Sequence, residues 1–318
     1  MNEHEVYLDR PCFALGGEKF SVEDSVAAGR THSAAAELLD AGFRYHHVAA
    51  EEQCAYDLAR HAVDSIVNGL GCVDAIVYAT CLPCSANVAE PGSFAASGDV
   101  KDLMDYPASR LQSDFGFDDA IVIGVNQQAC TSMLGSLRLA SALLVAEPKL
   151  QRVLCVTADR FPPGARYEQA YSLISDGAAG CVVSHDRAGF RVVASHHITN
   201  GALVHASDDE AVGVYFSYTH RVVSELLARV GRSAANVTWV VPQNTNLKAA
   251  KVMAHLLDVD FERVFCESMP EVGHVISGDN VVNLAQLVAS GALRAGDTVL
   301  LLMAGYGMNF QATLLEKV

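Results

Sequence analysis

Two residues stand where this chain could do chemistry: Cys130, in NQQACTSML, and His274, in VGHVISGDN. Cys130 follows an apolar run, 120–125, and a polar turn. Beyond it, Met133, Leu134, Leu137, Ala140, Ala142 and Leu144 recur at nearly helical spacing. That pattern predicts a buried strand, a turn, and a helix starting at the cysteine, with Thr131 and Ser132 as caps. A helix N-terminus offers unpaired N–H groups and a positive dipole end, which favour the nucleophilic thiolate. A cysteine beside apolar residues can equally be a buried structural thiol, so position alone leaves both roles open. Imidazole takes and returns a proton near neutral pH, which makes His274 the complementary candidate.

A faint internal repeat relates the two residues. A strand at 121–125 leads to Cys130, a helix, and a strand starting near Val153. A strand at 264–267 leads to His274, a helix, and a strand starting near Thr298. The separations agree: 23 residues from Cys130 to Val153 and 24 from His274 to Thr298. Packed about a pseudo-twofold axis, two such units bring the thiol and the imidazole to equivalent loop ends that meet in the middle.

The elements that position them alternate along the chain. Helices are expected at 33–39 (with Ser33 as N-cap), 51–68, 101–104, within 106–115, and at 215–230, 246–257 and 277–290. Strands are expected at 72–80, 152–158, 237–241, 264–267, 298–303 and 310–315. Residues 85–117, rich in Gly, Ala, Ser, Pro and Asp, read as an insertion or binding loop, and 198–212 as polar and irregular. Residues 1–48 show little pattern beyond a turn and an extended piece in GFRYHHV. Alternating strands and helices indicate a layered α/β fold with largely parallel sheets. The repeat divides it into halves at 1–185 and 186–318, with no linker between them.

Composition narrows the function. The chain has 318 residues, 51% of them hydrophobic, enough for a large core. Its formal charge of −15 opposes binding to nucleic acid or an anionic membrane, and requires a local positive site for any anionic substrate. The apolar runs are strand-sized rather than membrane-spanning, and the acidic start MNEHEVYLDR is unlike a signal peptide, so a cytoplasmic protein is expected. Nine scattered cysteines read as reduced thiols. Cys81 and Cys84 spell C-x-x-C, but without a second ligand pair they read as a strand-to-loop turn rather than a metal or redox motif. His46, His47, His196 and His197 read as ordinary side chains.

In order and spacing, NQQACTSML, ISDGAAGCVV, WVVPQNTNLKAA, VGHVISGDN and AGYGMNF resemble the thiolase superfamily, most closely the type III β-ketoacyl-acyl-carrier-protein synthases. The resemblance implies a five-layer αβαβα fold of two pseudo-repeated halves and a homodimer. It also implies a cysteine that takes an acyl group from a coenzyme A or acyl-carrier-protein thioester, with no permanently bound cofactor and no metal. The family triad is Cys, His and Asn. Here Gln243 stands where the family has its His, and His274 where it has its Asn. Offshoots of the family with a similarly relocated His are linked to acyl transfer onto oxygen or nitrogen in natural-product pathways. In AGFRYHHVA the aromatic and basic coenzyme-binding residues of the fatty-acid enzyme have no clear counterparts.

By this resemblance Cys130 is the acyl-accepting nucleophile and His274 the general base. Gln243 is expected to orient the imidazole, with Asn244 and Asn246 as further orienting residues or helix caps. The turn Gly305, Tyr306 and Gly307 is expected to supply one oxyanion donor, the Cys130 N–H being the other. Ser175, Asp176 and Gly177 read as a structural turn. The expected activity is acyl transfer from a coenzyme A or carrier-protein thioester, through Cys130, to the hydroxyl or amine of a small-molecule acceptor. Decarboxylative carbon–carbon condensation and a non-catalytic partner subunit of a synthase are the alternatives.

Overall fold

The computed structural model describes residues 5–82, 93–104, 106–169, 172–205, 208–306 and 309–318. The chain opens with β1 (Tyr7–Leu15), β2 (Glu18–Ser21), α1 (Val22–Ala27), α2 (Ala35–Asp40), β3 (Tyr45–Val48) and α3 (Ala55–Val67). Next come β4 (Ala75–Ala79), α4 (Ser93–Ser97), α5 (Pro107–Asp114), β5 (Ile121–Val125), α6 (Ser132–Ala146) and β6 (Arg152–Asp159). Three strands, β7 (Glu168–Gln169), β8 (Ser172–Leu173) and β9 (Gly177–Ser184), precede β10 (Phe190–Thr199) and α7 (Asp208–Arg229). The remainder is β11 (Trp239–Val241), α8 (Leu247–Leu256), α9 (Met269–Val272), α10 (Asp279–Ala289), β12 (Thr298–Gly305) and β13 (Asn309–Lys317).

Nine strands form one hydrogen-bonded series, β11-β12-β13-β10-β1-β9-β6-β4-β5. Its two parts join where Tyr7 and Leu8 of β1 pair with Arg191 and Phe190 of β10. On one side β5, β4 and β6 are mutually parallel, and β9 and β1 follow antiparallel. On the other, Val264 bridges β11 in parallel, β11 runs parallel to β12, and β13 and β10 follow antiparallel. The order is thus repeated, with α6 and α10 in equivalent places. Side chains alternate across each sheet. Val153 and Cys155 of β6, with Val299 and Leu301 of β12, face one central cluster that also contains α6 and α10. Leu154 and Val156 face the outer layer of α3 and α5, whereas Leu300 and Leu302 face the outer layer of α7 and α8. The result is helix, sheet, helix pair, sheet and helix: the five layers expected.

Several local expectations are corrected. β5 was expected to be buried, but it is the outermost strand, with Ile121 and Val122 exposed. The expected strand at 264–267 is reduced to the single Val264 bridge. Ala34 rather than Ser33 caps α2, because the Ser33 hydroxyl is engaged by Glu168. Thr131 and Ser132 do not cap α6 with their side chains; their hydroxyls donate to the carbonyls of Gln128 and Ala129, both at 2.6 Å. α7 begins at Asp208, within the stretch read as irregular. β1 gave no strand pattern because Pro11 and the positive φ of Arg10 interrupt it at a bulge. Among the described residues, Ala129–Ala146 is long and apolar enough to cross a membrane by length and composition; half of it is buried, between the two sheets.

Candidate active site

Cys130 lies in a 3₁₀ turn, Ala129–Thr131, that runs directly into α6. Ala129 adopts φ +47°, a conformation L-residues rarely take, so the chain reverses sharply before the cysteine. Behind it, the Gln311 amide of β13 donates to Gln128 Oε1 at 2.8 Å, anchoring the turn to the other half. Gly305, at the end of β12, is pressed against this turn. A Cβ there would stand 2.7 Å from Gln128 O and 3.2 Å from Cys130 N, so only glycine permits the approach.

His274 follows α9 on a loop that its neighbours hold tightly. Its N–H donates to Leu173 O and its carbonyl accepts from Ser175 N, both at 2.8 Å, so the Ser175-Asp176-Gly177 turn supports the imidazole from below. Gly273 takes φ +68°, and a Cβ would meet Leu173 O at 2.9 Å. The ring nitrogen Nδ1 lies 2.5 Å from Asp279 Oδ2, at the first residue of α10. Asp279 is fully buried, and its carboxylate also accepts the N–H groups of Val275 and Asn244, each at 2.6 Å. With Nδ1 committed to Asp279, Nε2 is the ring nitrogen left to serve Cys130, which lines the same cavity.

The electrostatics follow from this arrangement. The Cys130 thiol is driven well below its ordinary value by a hydrogen bond from the Cys81 thiol and by His274, which together outweigh burial. Burial pulls the His274 imidazole down, but the Asp279 carboxylate and Cys130 overcome it and raise the ring to about 10. Both shifts favour thiolate and imidazolium over the neutral pair.

The other expected residues divide. Gln243 lines the same cavity as Cys130 and His274, but its Oε1 accepts the Ala304 N–H at 2.5 Å, and Asp279, not Gln243, takes the imidazole N–H. Asn244 acts behind the ring: its N–H holds Asp279 and its side-chain amide donates to Gly273 O at 2.8 Å. Asn246 is the N-cap of α8, accepting from Ala249 N at 2.7 Å. Tyr306 is half exposed on the cavity wall, and Gly307 lies outside the described residues, as does Cys84. Asp279 was missed. Asp279 sits five residues beyond His274, across a turn in which Ile276 has φ +47°. No periodicity marks such a pair.

The cavity that reaches Cys130 and His274 holds about 340 Å³ and opens between α7 and α8. Tyr215, Phe216, Val252 and Phe310 make its walls largely apolar, and Lys248, ion-paired to Asp40, stands among its lining residues. Among the described residues, no group of three or more His, Cys, Asp or Glu side chains is gathered as a metal site.

A cysteine on a strained turn at the head of a central helix, facing a histidine from the equivalent loop of a second half, is a thiolase-type arrangement. Two family descriptions match the chain: 3-oxoacyl-[acyl-carrier-protein] synthase III over residues 126–201, and the C-terminal part of the same synthase over 227–317. The chain belongs to this synthase III family of the thiolase superfamily. β-Ketoacyl-[acyl-carrier-protein] synthase III of Nitratidesulfovibrio vulgaris is 26% identical over 86% of this chain and 88% of its own length. The corresponding protein of Chlamydia caviae is 24% identical over 60% of this chain, and the match spans only 65% of that relative's length. Among solved structures, the acyltransferase ChlB3 superposes with a TM-score of 0.83 at 20% identity, covering 99% of this chain and 98% of ChlB3. The synthase III of Pseudomonas aeruginosa gives 0.80 at 23% identity over 98% of each chain. OleA of Xanthomonas campestris gives 0.78 at 13%, over 98% of this chain and 96% of OleA.

Proposed function

We propose that this protein is an acyltransferase that moves an acyl group from a coenzyme A or carrier-protein thioester, through Cys130, to a hydroxyl or amine of a small-molecule acceptor. The observation that carries this reading is the buried Asp279–His274 pair beside Cys130. A carboxylate on Nδ1 fixes the ring and raises its basicity, as transfer to an O–H or N–H requires. The Cys130 thiolate attacks the thioester carbonyl, and the oxyanion is met by backbone N–H groups of Cys130 and of the turn after Gly305. The donor thiolate leaves with the His274 proton. The neutral imidazole then takes the acceptor's proton as its oxygen or nitrogen attacks the acyl-cysteine, and Cys130 departs as a thiolate beside the re-formed imidazolium.

Decarboxylative condensation is the second reading, favoured by one observation: the Gln243 amide and the His274 ring line the same cavity wall, where two donors could hold an enolate oxygen. In either reaction we take the protein to need no resident cofactor, and the relocated His suggests a natural-product pathway. We also infer a homodimer, supported by the exposed apolar edge at β5, and a cytoplasmic setting, supported by free thiols among the described cysteines. The test is intact-mass analysis after incubation with a panel of acyl thioesters. The wild type is expected to gain one acyl group, and Cys130→Ala, folded normally, none. Equal labelling of the variant would show that another thiol carries the chemistry and would overturn the reading.

A further inference from the structure

The turn that carries both His274 and Asp279 is tied to the half of the chain that carries Cys130. Between those two residues the backbone passes through a 3₁₀ turn, Ile276–Gly278, entered at the positive φ of Ile276. Ser277 is buried at its centre. Its hydroxyl donates to Asp159 Oδ2 at 3.1 Å and lies 2.5 Å from the Thr157 hydroxyl. Asp159 and Thr157 both stand on β6, a strand hydrogen-bonded on its two sides to β4 and β9. The other carboxylate oxygen, Asp159 Oδ1, accepts the Thr80 hydroxyl at 2.7 Å, the Cys81 N–H at 2.8 Å and the Leu82 N–H at 2.9 Å. Four donors therefore fix the direction of one buried carboxylate. The turn is also pressed against β9, since a Cβ on Gly177 would stand 2.5 Å from Val275 Cγ1. None of the steps above uses Asp159.

We propose that Asp159 is a positioning residue, which through the Ser277 hydroxyl holds the turn of His274 and Asp279 in place against Cys130. Asp279 orients the imidazole, but it belongs to the same turn, so the two residues move together relative to the thiol. Their placement must come from contacts that leave the turn. The near end is held by the backbone bonds of His274 to Leu173 and Ser175. Ser277, three residues further on, is the tie at the far end, and Asp159 is its anchor. A bond from a hydroxyl to an ionised carboxylate is stronger than one between neutral groups, and a buried acceptor cannot be exchanged for water without cost. Burial pushes the Asp159 carboxyl up to about 6, so above that pH the ionised form accepts all four bonds. A misplacement of about 1 Å between reacting groups is enough to cost rate heavily. The proposal rests on Cys130 and His274 acting as a pair, and not on which acceptor takes the acyl group.

The test measures alkylation of Cys130 by iodoacetamide between about pH 5 and about 9, resolved at the peptide level by mass spectrometry. A well-placed imidazolium favours the reactive thiolate, so the profile reports where His274 stands. Wild type, Ser277→Ala, Asp159→Ala, His274→Ala and the double variant Ser277→Ala with His274→Ala are compared, with circular dichroism as the folding check. Ser277→Ala removes the tie alone, so the comparison survives if Asp159→Ala does not fold. Ser277→Ala and Asp159→Ala are each expected to move the profile to higher pH by about one unit. Loss of the Asp159 charge by itself would move it the other way, because a nearby negative charge disfavours a thiolate. In the His274→Ala background, Ser277→Ala is expected to add no further displacement. Superposable profiles for wild type and Ser277→Ala would overturn the proposal. An equal displacement in both backgrounds would do so too, since the tie would then support the fold rather than the histidine. A folded Asp159→Ala that matches wild type would assign the tie to Thr157 and overturn the role of Asp159. A His274→Ala profile equal to wild type would instead overturn the Cys130–His274 pair itself, and the proposal with it, so the two failures read apart.

Discussion

Asp279 has no exposed surface, and its carboxylate holds three groups at once: the His274 ring and two backbone N–H groups. The pairing of Cys130 with His274 was legible because the internal repeat and the family resemblance placed them at equivalent loop ends. Asp279 was not, because the contact depends on a turn whose geometry no spacing rule encodes. Gln243 was misread for a related reason: it stands in the family's histidine position, yet its carbonyl oxygen is taken by Ala304 N. Removing the charge at Asp279 leaves the imidazole buried without the partner that raises it to about 10. We expect Asp279→Asn, like His274→Ala, to slow transfer from preformed acyl-Cys130 by roughly 10²- to 10⁴-fold, the span for losing general-base catalysis. Single-turnover transfer kinetics check this, with the thermal midpoint showing that the fold persists. An Asp279→Asn rate equal to wild type would remove Asp279 from the mechanism.

Among the elements, most long helices and β-branched strands were legible to within a few residues, but α7 starts at Asp208 rather than near Tyr215, the strand expected at 264–267 is a single bridge, and β1 was hidden by its bulge. The β2–β3 pair, of which only the extended piece in GFRYHHV was read, includes His46, whose Nε2 lies 2.6 Å from the Ser25 hydroxyl and Nδ1 2.7 Å from Ile174 O. Burial lowers this imidazole from 6.5 to about 4. The unfolded chain therefore binds a proton below pH 6.5 that the folded chain refuses until about pH 4. The stability His46 contributes is complete above pH 6.5 and is lost as pH falls toward 4, by about 3 kcal/mol at most. Asp159 acts oppositely, since its carboxyl, raised by burial to about 6, gains its proton earlier in the folded state. Comparing wild type with His46→Gln isolates the first effect. The variant should be less stable at pH 7.5, and its denaturation midpoint should fall less between pH 7 and about 5. An equal fall in both would contradict the account.

At the scale of the molecule, we propose two halves, 1–185 and 186–318, consistent with the repeated strand order, one with the candidate nucleophile and the other with the candidate base. That symmetry was visible in the sequence as two matching separations, but the shared central layer was not, because it depends on which faces of α6 and α10 meet. The exposed β5 edge, with Ile121 and Val122, leaves strand hydrogen-bonding groups and apolar side chains for a second copy to cover. Size-exclusion chromatography should show twice the chain mass, and Val122→Glu should yield monomers at micromolar concentration; a monomeric wild type would refute the dimer. The central claim is that Cys130 passes its acyl group to oxygen or nitrogen rather than to carbon. It is tested most directly by loading Cys130 with an acyl group, adding a carboxyl-labelled malonyl thioester, and measuring labelled carbon dioxide. The account predicts none above the Cys130→Ala background, whereas release of carbon dioxide with a β-keto product would contradict it.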